Sequence, residues 1–170
     1  GYVVYTTVEA DLQQAAHDAL LQGLRTYDWR HGWRGPERRL APREDETPKQ
    51  TRARWEQALR DMPTIAKLPP AIVTSVSGSG VTTLNKTGES IFLSWEGDLS
   101  SVRGYRSVNQ TAAPASQPDE LLAPGDMIRI RESEDGWRLA QVPKAQSALV
   151  SLDPKHGAIR ALVGGMGFEL

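Results

Sequence analysis

Five short extended runs within about 75 residues, together with two stretches whose apolar residues recur at three- and four-residue spacing, predict a mainly β chain with two helices, of the α+β class. Composition supports this reading: 15 Gly and 11 Pro in 170 residues interrupt regular structure often, while 39% hydrophobic residues suffice for a buried core.

The first element expected is a short strand over Tyr2 to Val8, because Val3, Val4, Tyr5, Thr6, Thr7 and Val8 are β-branched or aromatic. Leu12, Ala15, Ala16, Ala19, Leu20 and Leu24 then form one apolar stripe on a helix from about Ala10 to Thr26. Its start is set either by Asp11 with Gln14, in the manner of a capping box, or one turn earlier at Glu9, a weaker cap. Gly32, Gly35 and Pro36 break the pattern, and Arg43 to Pro48 reads as a mixed-charge linker. Trp55, Leu59 and Met62 restore helical spacing over Arg52 to Met62, which Pro63 ends.

After Leu68-Pro69-Pro70 the pattern becomes extended. Ala71 to Val76, Val81 to Leu84, Ser90 to Trp95, Met127 to Arg131 and Trp137 to Val142 are the five strand candidates, and Glu134-Asp135-Gly136 joins the last two as a hairpin. Alternation of Ile128 and Ile130 with Arg129 and Arg131 predicts one face inward and one in water. Such a set suggests a small five-stranded barrel of the oligonucleotide/oligosaccharide-binding (OB) kind, with Phe92, Trp95 and Trp137 in its core and Tyr105 exposed. Gly97 to Gly125 reads as a long exposed loop. Finally, Ala148 to Leu152, Asp153-Pro-Lys-His-Gly157 and Ala158 to Val163 form strand, tight turn and strand, a hairpin flanking the barrel. Both its faces are apolar, as in the middle of a larger sheet that no other part of the chain supplies, so the chain is read as a piece of a longer protein. The organisation expected is residues 1–35 as strand and helix, 36–68 as charged connector, 69–145 as OB-like barrel and 146–170 as hairpin segment.

Charge narrows the function classes. There are 20 Lys and Arg against 21 Asp and Glu, so the chain is no polycation. The exception is local: residues 25–60 hold 10 basic and 6 acidic residues, and Tyr27, Trp29 and Trp33 interleave with arginines from Arg25 to Arg43. Guanidinium groups and indoles so placed can stack on bases, which makes a nucleic-acid-binding OB domain the alternative reading. Against it, residues 64–145 carry 8 basic and 9 acidic residues, no net cationic footprint for phosphates. There is no cysteine, and His17, His31 and His156 stand apart without metal-ligand spacing, so no metal and no cofactor is expected. Gly78-Ser-Gly80 and Gly165-Met-Gly167 lack a phosphate-binding fingerprint and are assigned to turns. No apolar run reaches the roughly 18 residues of a membrane span.

Three blocks resemble segments of bifunctional, class A penicillin-binding proteins of the Gram-negative type. Val4-Tyr-Thr-Thr-Val-Glu-Ala-Asp-Leu-Gln-Gln-Ala-Ala16 is similar to the segment following the glycosyltransferase domain, with Glu9 where the family more often has a capping Asp. Tyr27-Asp-Trp-Arg-His-Gly-Trp-Arg-Gly-Pro36 resembles the stretch leading into the family's inserted domain, and Gln146 to Gly165 resembles the opening hairpin of the transpeptidase domain. The resemblance implies a fragment of a peptidoglycan synthase at the periplasmic face of the inner membrane, anchored by a segment outside these residues. It implies as partners the rest of the penicillin-binding protein, an outer-membrane lipoprotein activator or peptidoglycan, and no nucleic acid.

For this fragment no catalytic residue is expected. Transpeptidation needs a serine nucleophile in S-x-x-K with the S-x-N and K-T-G elements. No S-x-x-K occurs, and the matches Lys86-Thr-Gly88 and Ser107-Val-Asn109 stand in reverse order, ahead of the transpeptidase-like hairpin; both are read as turns. The resulting expectation is a noncatalytic docking or regulatory region, with Arg103, Tyr105, Arg106, Arg129 and Arg131 as the exposed residues a partner would meet.

Overall fold

The structure is a computed structural model and describes residues 2–165; Met166–Leu170, and with them the end of the Gly165-Met-Gly167 cluster, lie outside the described residues. The chain divides into two units, residues 31–142 and residues 1–30 with 143–170.

The larger unit is built on one antiparallel sheet. Strands β2 (Pro70–Ser77), β3 (Gly80–Asn85), β4 (Ser90–Ser94), β7 (Asp126–Ser133) and β8 (Gly136–Ala140) coincide with the five runs read from the sequence. Their order is β4-β3-β2-β7-β8, and a two-residue strand β1 (Arg38–Arg39) adds to β7. The outer strands β4 and β8 approach one another without pairing, so the barrel is open along one seam. Helix α2 (Pro48–Asp61) closes the core: Trp55 and Leu59 pack with Ile72, Leu84 and Met127. It begins earlier than its apolar spacing suggests, because Thr47 and Gln50 form a reciprocal capping box and Pro48 occupies the first turn.

Two details depart from the expected sheet. Arg129 is buried, 2% exposed, like its neighbours Ile128 and Ile130. The expected solvated face is absent because the segment 63–68 and Glu37 cover the second face of β7 and supply Arg129 with partners. Its Nε and Nη2 donate to Glu37 at 2.9 and 3.0 Å, and Nη1 donates to the Pro63 and Leu68 carbonyls at 2.6 and 3.1 Å. Conversely, Phe92, expected in the core, is 50% exposed, because Ile91 and Leu93 are the inward residues of β4. Trp95 and Trp137 are half-buried.

The stretch 97–125 is also more ordered than a loop. It contains a 3-10 turn (Leu99–Ser101), the hairpin β5 (Arg103–Ser107) and β6 (Gln110–Pro114), and the short helix α3 (Pro118–Leu121). Leu99, Val102 and Leu122 are buried and tie it to the unit.

In the smaller unit α1 (Ala10–Arg30) packs Ala16, Leu20 and Leu24 on Ala161 and Val163 of the hairpin β9 (Ala148–Leu152) and β10 (Ile159–Gly164). The helix follows Glu9, whose carbonyl accepts the Gln13 N–H at 2.8 Å; Gln14 bonds Asp18 instead of capping. Residues 2–8 do not form the expected strand. They are exposed; Thr7 Oγ1 donates to the Ile159 carbonyl, and the following Glu9 donates its N–H to the Arg160 carbonyl and pairs with the Arg160 guanidinium at 3.0 Å. Val150, Leu152, Ile159 and Leu162 leave the second face of the hairpin exposed.

Candidate functional site

The reactive-looking letters of the sequence resolve into turns. Lys86-Thr-Gly88 connects β3 to β4, where the Asn85 side chain accepts from the Thr87 and Glu89 N–H groups at 3.0 and 2.8 Å and Gly88 has φ of 85°. Lys86 Nζ donates to the Met62 carbonyl. Ser107 and Gln110 pair across Val108-Asn109, the two-residue turn of the β5–β6 hairpin. Among the described residues no group of His, Asp and Glu is placed to hold a metal ion.

Arg103, Tyr105 and Arg106 are all exposed on β5, with the half-buried Gly104 between the first two. Tyr105 is 43% exposed and Val108 at the tip 68%. The backbone of this hairpin is firmly held. Trp33, 6% exposed, donates its N–H to the Arg103 carbonyl at 2.8 Å and accepts the Tyr105 N–H at 2.7 Å, forming a parallel bridge with Gly104. Gly32 beside it has φ of 97°, and any Cβ there would stand 2.8–2.9 Å from the backbone of residues 104–105, so only glycine allows this approach. Gln141 in turn holds residues 32–34, donating to the Gly32 carbonyl and accepting from the Arg34 N–H, both at 3.0 Å.

Four arginines elsewhere in the unit are matched: Arg39 grips the fully buried Asp126 with two bonds, Arg54 binds Glu46, Arg52 binds Glu56 and Arg129 binds Glu37. Arg103 and Arg106 form no ion pair among the described residues, and no acidic residue occurs between Asp98 and Asp119. The other two residues expected at a docking face lie elsewhere. Arg129 is buried as described, and Arg131 is half-buried on β7 near Asp98.

Asp98 itself was not singled out by the sequence. Its Oδ2 accepts the Leu139 N–H of β8 at 2.6 Å, bridging the open seam. Burial raises its pKa above the usual 3.8, against the lowering effects of that N–H, Arg138 and Arg131. Of the aromatics in the aromatic-arginine stretch, Trp33 is buried, Trp29 lies half-buried within α1, and only Tyr27 is exposed.

Residues 33–145 match the model of the penicillin-binding protein OB-like domain. The whole chain aligns with penicillin-binding protein 1A of Pseudomonas aeruginosa at 45% identity over 170 residues, and with that of Escherichia coli at 38% over 174, in each case 99% of this chain and 20% of the relative. A crystal structure of penicillin-binding protein 1A from Haemophilus influenzae superposes with a TM-score of 0.72 at 32% identity, covering 98% of this chain and 22% of that one. The chain therefore spans about a fifth of the length of the relatives it matches, and it belongs to the penicillin-binding protein family, whose OB-like domain occupies most of it.

Proposed function

We propose that this chain is a noncatalytic docking or regulatory region of a bifunctional peptidoglycan synthase, set at the periplasmic face of the inner membrane, and that residues 2–30 and 143–165 are the adjoining part of that enzyme's transpeptidase domain. The observation that carries the reading is the match of residues 33–145 to the OB-like domain in a chain without S-x-x-K. The exposed apolar face of Val150, Leu152, Ile159 and Leu162 supports the second part, since a half-covered hairpin is stable only against further structure. The Thr87 hydroxyl of Lys86-Thr-Gly88 is engaged in its turn, 2.8 Å from both Asn85 Oδ1 and Glu89 Oε2.

In this role the OB-like unit would meet an outer-membrane lipoprotein activator or peptidoglycan. The test is binding of the 170-residue chain to purified periplasmic lipoproteins and to peptidoglycan sacculi, beside labelling with a fluorescent penicillin. Binding to one of them without a labelled band is expected. A covalent penicillin adduct that disappears on changing one serine to Ala overturns the noncatalytic reading, and absence of any binding reduces the region to a spacer.

A further inference from the structure

We infer that the exposed β5–β6 hairpin, through Arg103, Tyr105 and Arg106 of β5, docks an acidic surface of a partner protein. The inference rests on the docking role above and adds the chemistry of what is docked.

Charge complementarity is the first support. Two exposed guanidinium groups stand in a stretch devoid of carboxylates, within a unit where Arg39, Arg52, Arg54 and Arg129 are each paired with Asp or Glu. An acidic partner supplies what the chain itself provides at Arg39, Arg52, Arg54 and Arg129. Residue type is the second: Arg and Tyr are the side chains that most often dominate binding energy at protein interfaces, because each combines area with directed hydrogen bonds. Pre-organisation is the third. The two Trp33 bonds and the Gly32 approach fix the backbone of β5 before any partner arrives, so little backbone freedom is lost on binding.

Other modes fit less well. Addition of a strand at the free edge of β6 is opposed by the register shifts on either side of Tyr105 and by Pro114 at the strand end. Two cations cannot carry nucleic-acid affinity, where each neutralised phosphate contributes a slope of only about 0.9 in log K against log salt. Anionic membranes recruit clusters of roughly four to eight basic residues, well above what this face offers.

Poly-L-glutamate titrated into the isotopically labelled 170-residue chain provides the test. The expected result is saturable, salt-sensitive shifts of amide signals confined to residues 31–35 and 102–112, with affinity falling about tenfold or more in the double variant Arg103→Glu/Arg106→Glu. The charge-matched control Lys49→Glu/Lys155→Glu, at two exposed positions, keeps its affinity, and a dispersed spectrum for each variant shows that it is folded. Shifts elsewhere, equal losses in both double variants, or tighter binding to phosphatidylglycerol vesicles or a single-stranded oligonucleotide overturn the inference. If a periplasmic protein binds the chain with unchanged affinity in Arg103→Glu/Arg106→Glu, the docking role stands and this surface assignment falls.

Discussion

Arg129 is the residue whose environment most defines the OB-like unit. Its guanidinium satisfies two carbonyls and a carboxylate at once, a set that a planar five-donor group can serve and an ammonium cannot. Replacement by Met removes the charge but strands Glu37 and the Pro63 and Leu68 carbonyls, so a loss on the order of 3 kcal/mol is expected in urea unfolding. Arg129→Lys should recover only part of it. Asp98 makes a second prediction at this scale. Because folding raises its pKa, the stability it confers is complete below about 3.8 and is lost as pH rises through the folded value. Asp98→Asn keeps an acceptor for the Leu139 N–H and removes the titration, so its stability should lose this decline as pH rises above about 4. Asp98→Ala should be less stable across that range by about 1–3 kcal/mol, the cost of an orphaned buried N–H. Asp153 behaves oppositely: the Arg160 guanidinium, with the Lys155 and His156 N–H groups, lowers its pKa, so its contribution is present above about 3.8 and vanishes as pH falls below it.

Among the elements, α2 depends on both its cap and its buried stripe. Thr47→Ala should cost about 1 kcal/mol through loss of the reciprocal bonds with Gln50. Leu59→Ala, at a fully buried position among Trp55, Ile72, Leu84 and Met127, should cost about 2–5 kcal/mol. Thermal or urea unfolding followed by tryptophan fluorescence separates the two. The β5–β6 hairpin shows why an element can be hidden in a sequence. Its turn, Val108-Asn109, lacks glycine, and its irregular register breaks the two-residue alternation that identifies a strand. The five main strands were legible because β-branched runs lay between Gly, Asn and Pro signals; the Tyr2–Val8 run had the same composition and forms no strand, since propensity alone does not make the ladder bonds a strand needs.

For the whole molecule, residues 31–142 contain their own sheet, helix and core, and should fold when produced alone. A dispersed amide spectrum and one cooperative unfolding transition are the expected results; a collapsed spectrum would show that the unit needs its flanking segments. Family membership was likewise readable from three ordered blocks, as the match to the OB-like domain shows, whereas the exposure of individual arginines was only partly legible. Arg103, Tyr105 and Arg106 are exposed on one strand, but Arg129 is buried because strand periodicity knows nothing of what covers a sheet from outside.

The sequence by itself determined the local matters: where the main strands run, where glycine and proline end them, and which family they belong to, because these depend on neighbours a few residues apart. Only the tertiary structure decided which face of β7 is covered, how Trp33 mounts a hairpin some 70 residues downstream, and that Asp98 reaches across an open seam. Each of those follows from groups distant in the chain meeting to satisfy one another's hydrogen bonds and charges, and no local pattern records such a meeting.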